Sequence, residues 1–545
     1  MWSRDGKWIV FQSNGPGVET DDLFAIPSNG GEVLNLTDTP NVSETNPVWS
    51  PDGTRLAILY KVASSPVYDI AVFDWKTHQV HNVTQEKTAD HAWIDPVWSP
   101  DSNTIYAIRY RSDQNDSNLY RIDLATSALE NLTPHDGDRR TMFPRISPDG
   151  HTFLVSSDDS DGYLSVALLD TVTHQIDWVT NSRSQAIAGG FSPDGRQFAY
   201  SVNDDGRTDV YLADTSTRRS AKIMLPVGQN TLSDRWSPFN PHGGQLLISH
   251  ESSTQPRDLW VYTIPSRNSR QLTFSAIAGL RGSTIPSANL VHYRSFDNRV
   301  ISAFMWVPFN VNRDSANPGI VIAHGGPIGQ SVDSFDGLVA ALVTRGYVCI
   351  APNVRGSSGY GMAFQKANTK DIGGGDLQDE VYAAKFLTAS GFVDAKKIGI
   401  TGISYGGTMT LMAVGKAPDV WAAGVEALGI LDWRAWIEHS ERNQREYFES
   451  LLGDPIRDEA IYEKSSFLTY IRNAKAPLLA LYGDDDPQLS REQAEHIVST
   501  LKAAGLTVEA HYYSGEGHGF SKREDQIDVA RQTVNWFDRY LKSKN

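Results

Sequence analysis

The sequence predicts an all-β propeller followed by an α/β domain whose sheet is doubly wound and mainly parallel, and three observations carry that prediction. A short phrase recurs six times in the first half. Near Ala276 the recurrence gives way to apolar strands alternating with amphipathic helical stretches. Within that second half, one strand runs into a glycine-flanked serine and then directly into a helix of small and apolar residues. At 545 residues the chain also exceeds what one hydrophobic core usually supports, so more than one domain is expected.

The repeated phrase reads Trp2-Ser-Arg-Asp-Gly, Trp49-Ser-Pro-Asp-Gly, Trp98-Ser-Pro-Asp-Ser, Ile146-Ser-Pro-Asp-Gly, Phe191-Ser-Pro-Asp-Gly and Trp236-Ser-Pro-Phe-Asn, with starts 47, 49, 48, 45 and 45 residues apart. A period of that size suits one four-stranded propeller blade per repeat. Proline presets one backbone angle of the turn, aspartate bonds the following amides, and glycine accepts positive φ. Strands such as Arg55-Leu-Ala-Ile-Leu-Tyr60 follow each turn, and later strands close on Leu-Thr or Val-Thr, as at Thr84 and Thr133. The aromatic residue ahead of the turn is expected to pack between blades. These phrases resemble the TolB-like propeller repeats over six visible units, the last degenerate at Phe239 and Asn240. Because the chain begins inside the first repeat, either an incomplete amino terminus or a ring that closes in an unusual way is expected, with at least one further blade in the parent protein.

The domain division predicted is 1–280 for the propeller and 281–545 for the α/β domain. Asn289 to Pro308 reads as a hairpin leading into the second half. The runs Gly319-Ile-Val-Ile-Ala-His324, Val348-Cys-Ile-Ala-Pro352, Ile398-Gly-Ile-Thr401, Gly424-Val-Glu-Ala427, Leu478-Leu-Ala-Leu-Tyr482 and Val508-Glu-Ala-His-Tyr512 are short apolar strands between helices. That alternation builds a parallel sheet covered on both faces.

Gly402-Ile403-Ser404-Tyr405-Gly406 has the composition of a nucleophile elbow, in which a serine sits on a strained strand-to-helix turn that flanking side chains would block. In α/β-hydrolases an acid and a histidine follow the serine along the chain, on loops after later strands. Asp484, Asp485 and Asp486 follow one such strand, and chemistry alone leaves the choice among them open. His518, between glycines after the last strand, is placed as a general base. The developing oxyanion needs two N–H donors, and the candidates are Tyr405, directly after the serine, and Gly326 in His324-Gly-Gly-Pro327. His324 itself lies on the oxyanion side and is not the base.

Composition narrows the partners. A formal charge of −16, from 65 acidic and 49 basic residues, argues against nucleic acid and anionic membranes, and no run is apolar enough to span a bilayer. The single cysteine, Cys349, sits in an apolar run and reads as a buried structural thiol, which also excludes an internal disulfide. Histidines are not clustered at ligand spacing, so neither a metal nor any other cofactor is expected.

Together, His324-Gly-Gly-Pro327, Asn353-Val-Arg-Gly-Ser-Ser-Gly-Tyr-Gly361, the elbow, Gly483 with Asp486 three residues on, and Gly515-Glu-Gly-His-Gly-Phe520 resemble the prolyl oligopeptidase family of serine peptidases. The resemblance spans the whole chain, since that family joins a β-propeller to an α/β-hydrolase domain. It implies Asp486 as the acid of a Ser404–Asp486–His518 triad. It places Trp433, Trp436, Tyr447 and Leu489 around the first specificity pocket, and so a hydrophobic or aromatic residue before the scissile bond. The family's strictly post-proline members carry a tyrosine where this chain has His324. The His-Gly-Gly-Pro form resembles instead the acylaminoacyl-peptidase and non-proline dipeptidyl-peptidase branch. The expected activity is hydrolysis of short peptides, with the propeller restricting entry. A carboxylesterase using the same site is the alternative, and a non-catalytic propeller binding protein a third reading. A cytoplasmic location is expected, with secretion or a periplasmic location left open by the amino terminus, and homo-oligomerisation also stays open.

Overall fold

The structure, a computed structural model, describes residues 1–14, 20–158, 161–181, 183–233, 236–275, 282–440 and 442–542. The expected boundary at 280/281 and the end of the repeat near Ala276 lie outside the described residues.

Antiparallel sheets occupy the first half. Three have four strands each, running through Val42–Asn82, His91–Asn131 and Thr141–Trp178. The last two blades join in one eight-stranded sheet through a single parallel pairing of Thr208 with Gln229. The first sheet holds Trp8–Ser13, Asp22–Pro27 and Leu34–Asn35, with an isolated Trp2–Ile9 bridge where the other blades have their inner strand.

The turn chemistry repeats atom by atom. In the second blade, Ser50 Oγ donates to Asp52 Oδ1 at 2.6 Å, Thr54 N–H donates to the same oxygen at 3.0 Å, and Gly53 adopts φ +73°. Ser147 with Asp149 and Ser192 with Asp194 make the same bond at 2.5 and 2.6 Å. The sixth turn is displaced from its expected position. Asn240 N–H donates to Gln245 O at 2.9 Å, Gln245 N–H donates to Asn240 Oδ1 at 3.1 Å, and Gly243 has φ +72°. The phrase that folds as the repeat is therefore Phe239-Asn-Pro-His-Gly243 rather than the one at Trp236, because an asparagine amide oxygen accepts the bond that serine accepts elsewhere. The aromatics do fill the seams between blades: Trp49 packs with Leu23 and Ala25 of the blade before it, Trp98 with Ala57 and Leu59.

The second half forms one sheet of eight strands, β1 (Asn289–Arg294), β2 (Val300–Trp306), β3 (Asn317–Ala323), β4 (Val348–Asn353), β5 (Val393–Ile403), β6 (Ala423–Ala427), β7 (Leu478–Gly483) and β8 (Val508–Tyr513). Their order is β1-β2-β4-β3-β5-β6-β7-β8, antiparallel at the first two pairings and parallel at the rest. Alternate residues enter different cores. Val321, Ile350 and Ile400 pack with α2 (Gly375–Ala389) and α3 (Tyr405–Lys416), whereas Ile320, Cys349 and Val425 pack with α1 (Gly337–Thr344) and the long carboxy-terminal helix Arg523–Leu541. Cys349 is fully buried there, and burial pushes its thiol well above the ordinary range. A helix on each face is what continuous apolar parallel strands require.

The two halves meet near the ends of β2, β3 and β4. Arg207 pairs with the buried Asp333 at 3.0 Å, Asp333 N–H donates to Gly206 O at 2.9 Å, and Asn203 Nδ2 donates to Gln330 Oε1 at 2.6 Å. Tyr360 O–H donates to Asp205 Oδ1 at 2.8 Å, and His292 bonds the other oxygen at 2.6 Å. The propeller thus touches the loop that follows Gly325 and Gly326.

Candidate active site

Parallel strands that share a direction bring their carboxy-terminal loops to one edge, and the functional candidates collect there. β5 ends at Ile403, α3 begins at Tyr405, and Ser404 between them adopts φ +58° and ψ −121°. Such a conformation costs on the order of 1–3 kcal/mol for a residue with a side chain, so its surroundings must hold it. They do so by close packing. A Cβ on Gly402 would lie 2.5 Å from the Gly406 backbone, one on Gly406 would collide with the Ala323 carbonyl oxygen, and Ser404 N–H donates to Ala427 O at 2.8 Å.

Ser404 Oγ lies 2.8 Å from His518 Nε2, and His518 Nδ1 lies 2.8 Å from Asp486 Oδ2. With Nδ1–H donating to the carboxylate, Nε2 is left as the acceptor for the serine hydroxyl. The Asp486 carboxylate has no solvent exposure, and its Oδ1 accepts the Gln488 and Leu489 N–H groups at 2.7 and 3.2 Å. The neighbouring aspartates go elsewhere. Asp484 pairs with Arg491, and Asp485 is exposed. Gly483 has its own reason: a Cβ there would strike the carbonyls of Glu516 and Gly517, so the acid loop and the histidine loop cross at that point.

Glu516 was not singled out in the sequence, although it stands inside the histidine motif. It is buried, and its carboxylate accepts Ser521 N–H at 2.8 Å, Ser521 Oγ–H at 2.7 Å and Lys522 N–H at 2.7 Å. These bonds hold the loop carrying His518 onto the start of the last helix.

On the oxyanion side, Gly325 passes close to the elbow, since a Cβ there would lie 3.4 Å from Ile403 O and 3.9 Å from Ser404 Cβ. Gly326 has φ +132°, outside the range of other residues. Gly326 and Tyr405 line one cavity with Ser404 and His518. Among the described residues, neither Gly326 N–H nor Tyr405 N–H has a protein acceptor. His324 is half-buried and bonded away from the serine, with Nδ1 2.8 Å from Gly325 O and Nε2 2.7 Å from Ser357 Oγ; desolvation of the ring lowers its pKa, favouring the neutral form.

The cavity continues between Leu428, Ile430, Trp433, Trp436, Phe448 and Leu489. Trp433 and Trp436 stand on α4 (Trp433–His439) and Phe448 on α5 (Arg442–Leu452), with ring centroids 4.8 to 5.7 Å apart. Tyr447 does not line the cavity. Its ring lies against Phe448, one residue on, which takes the wall position; on a helix, adjacent residues point about a hundred degrees apart, and sequence alone does not say which faces the cavity. Trp436 Nε1–H donates to Gln488 O at 2.7 Å, and Gln488 N–H donates to Asp486, so the pocket wall and the acid loop are tied together. No group of three or more metal-ligating side chains occurs among the described residues, and no described helix is long and apolar enough to cross a membrane.

A serine on a strand-to-helix elbow, in hydrogen-bond contact with a histidine and facing unpaired N–H groups, beneath a β-propeller, defines the class as that of the serine hydrolases. The comparisons narrow it. Residues 333–544 match the prolyl oligopeptidase family, a match that supports a serine peptidase. Over 96% of its length it is 25% identical to dipeptidyl aminopeptidase BIII of Pseudoxanthomonas mexicana, covering 77% of that protein. Over 99% of its length it is 27% identical to the acylamino-acid-releasing enzyme of Arabidopsis thaliana, covering 74% of it. Its fold is similar to that of a puromycin-hydrolysing peptidase of Mycobacterium tuberculosis, with a TM-score of 0.87 at 18% identity, over 98% of this chain and 86% of the other.

Proposed function

We propose that the chain hydrolyses short peptides by acyl transfer at Ser404, with His518 as general base and acid, Asp486 orienting the imidazole, and the N–H groups of Gly326 and Tyr405 receiving the oxyanion. As Ser404 Oγ bonds to the substrate carbonyl carbon, its proton passes to His518 Nε2. The carbonyl π electrons move onto oxygen, which faces the two N–H groups. Collapse expels the amine, which takes the proton from His518, and leaves an ester on Ser404. Water repeats the sequence and frees the acid.

The residue before the scissile bond is proposed to be hydrophobic or aromatic. The observation that carries this is the wall of Trp433, Trp436, Phe448, Leu428 and Ile430 beside Ser404, which offers apolar contact and no charged partner. Relatives named as a dipeptidyl aminopeptidase and an acylamino-acid-releasing enzyme support an action near the amino end of short peptides. The propeller loops on the strand ends support a restriction to small substrates.

A panel of chromogenic peptide anilides varied at that residue, each with a free and an acylated amino end, tests the reading. The expected result is highest kcat/KM with Phe, Tyr, Leu or Met, and loss of turnover in Ser404→Ala. Best turnover with Lys or Asp would overturn the pocket assignment.

A further inference from the structure

Asp376, in the first turn of α2, is fully buried and has no part in the chemistry above. Its Oδ2 accepts a hydrogen bond from the Tyr405 hydroxyl at 2.5 Å, and its Oδ1 accepts Leu377 N–H at 2.8 Å. Asn368 Nδ2 lies 3.5 Å from both Asp376 Oδ2 and the Tyr405 oxygen, closing a small buried network. Burial pushes the Asp376 carboxyl up to about 6, against the opposing effect of the Tyr405 bond, and it pushes the Tyr405 phenol well above its ordinary range.

The other end of Tyr405 is what makes this network matter. Its backbone N–H is the oxyanion donor that follows the nucleophile, and Tyr405 is the first residue of α3. A first helical residue has no preceding turn to hold it, and serine or aspartate at the cap position usually supplies the missing bond. Here the cap residue is Ser404, whose hydroxyl faces His518 and makes no cap bond. The nucleophile has been taken away from the structural task its position would normally give it. The peptide unit between Ser404 and Tyr405 is held by Ser404 N–H on Ala427 O, by Thr408 N–H and, at 3.4 Å, Thr408 Oγ1–H on Ser404 O, and by the ring of Tyr405, clamped at its tip. A phenol is a rigid lever, and a hydroxyl bonded to a carboxylate is about twice as strong a tie as one between neutral groups.

We propose that Asp376 is a positioning residue for the oxyanion hole, holding the Tyr405 N–H on the developing oxyanion through the Tyr405 hydroxyl. The inference rests on the reading of Ser404 and Tyr405 given above. It predicts that loosening the tip of the ring displaces the N–H by a fraction of an ångström, which harms the tetrahedral species and spares the trigonal one.

The test uses the full chain with Tyr405→Phe, Asp376→Asn and the double variant, each first shown to be folded by its thermal melt. Three readouts are taken: kcat and KM for a peptide anilide, inhibition by the matching peptide boronic acid, and inhibition by the product peptide acid. The boron accepts a lone pair from Ser404 Oγ, whose proton passes to His518, and the resulting tetrahedral adduct places an oxygen in the hole. Each single variant is expected to lower kcat about tenfold with KM within about twofold, less than the hundredfold or more for outright loss of a donor. Boronate inhibition should weaken by about the same factor while product inhibition stays put. The double variant should be no slower than the worse single one, because both substitutions cut the same tie. Wild-type kcat in both single variants, equal losses in boronate and product binding, or additive losses in the double variant would each overturn the proposal. Ser404→Ala separates the levels: full turnover there sinks the site assignment itself, whereas an inactive Ser404→Ala beside fully active Asp376→Asn sinks this inference alone.

Discussion

Three consecutive aspartates, Asp484, Asp485 and Asp486, are equivalent in the sequence and different in space. Only Asp486 is sealed from solvent, with one oxygen on two backbone N–H groups and the other on His518. Spacing from Gly483 selected it by resemblance; the physical reason is that Gly483 and Gly517 touch, which brings the third residue of the acid loop level with the imidazole. Asp486→Asn keeps the shape and removes the charge. The asparagine amide can donate to Nδ1 and so favour the tautomer whose Nε2 no longer accepts the Ser404 proton. On this reading kcat should fall on the order of ten-thousandfold while KM changes little, and Asp485→Asn should be as active as the wild type. Steady-state kinetics of the two variants checks this, and equal activities would contradict it.

Strand β6 and the loop after it hold the elbow from below, and here a single buried acid matters. Glu426 is fully buried, its Oε2 accepts Gly429 N–H at 3.1 Å and its Oε1 is bonded to the Tyr482 hydroxyl. Burial pushes its carboxyl up to about 8. The folded chain therefore holds this proton more tightly than the unfolded chain, where a glutamate titrates near 4.3. The stability it contributes is complete below about pH 4.3, falls as pH rises toward about 8, and is flat beyond, at roughly 1.4 kcal/mol per unit between those limits. Glu426→Gln removes that titration. Its melting temperature should fall less than the wild type's between pH 5.5 and 8.5, and parallel curves for the two proteins would contradict the assignment.

The strands of the parallel sheet are legible because each is a short apolar run between helical stretches. What the pattern could not give was which helical residues face the cavity, as Phe448 in place of Tyr447 illustrates, nor the role of Glu516, whose partners become visible only when the loop folds back on itself.

At the scale of the molecule, the repeat made the propeller readable, since a turn that uses the same three residues leaves a mark every 45 to 49 positions. The sixth mark was misplaced by three residues because Asn240 and His242 stand where serine and aspartate stand elsewhere, and the hydrogen bonds survive the change. Contacts between the halves left no local mark. Arg207 and Asp333 are 126 residues apart, and nothing in either neighbourhood announces the pair. That interface nonetheless positions the propeller loops over the loop that follows Gly326, which links a fold of repeats to a site built from four separate strand ends.

The central claim is that Ser404 is the nucleophile of a peptidase, and covalent labelling tests it most directly. An alkyl fluorophosphonate forms a phosphorus–oxygen bond with an activated serine and releases fluoride, so the labelled chain can be digested and the modified peptide identified by mass. The account predicts one equivalent of label on Ser404, with peptide hydrolysis lost in proportion to labelling. Label on another residue, or full hydrolysis by the fully labelled chain, would contradict it.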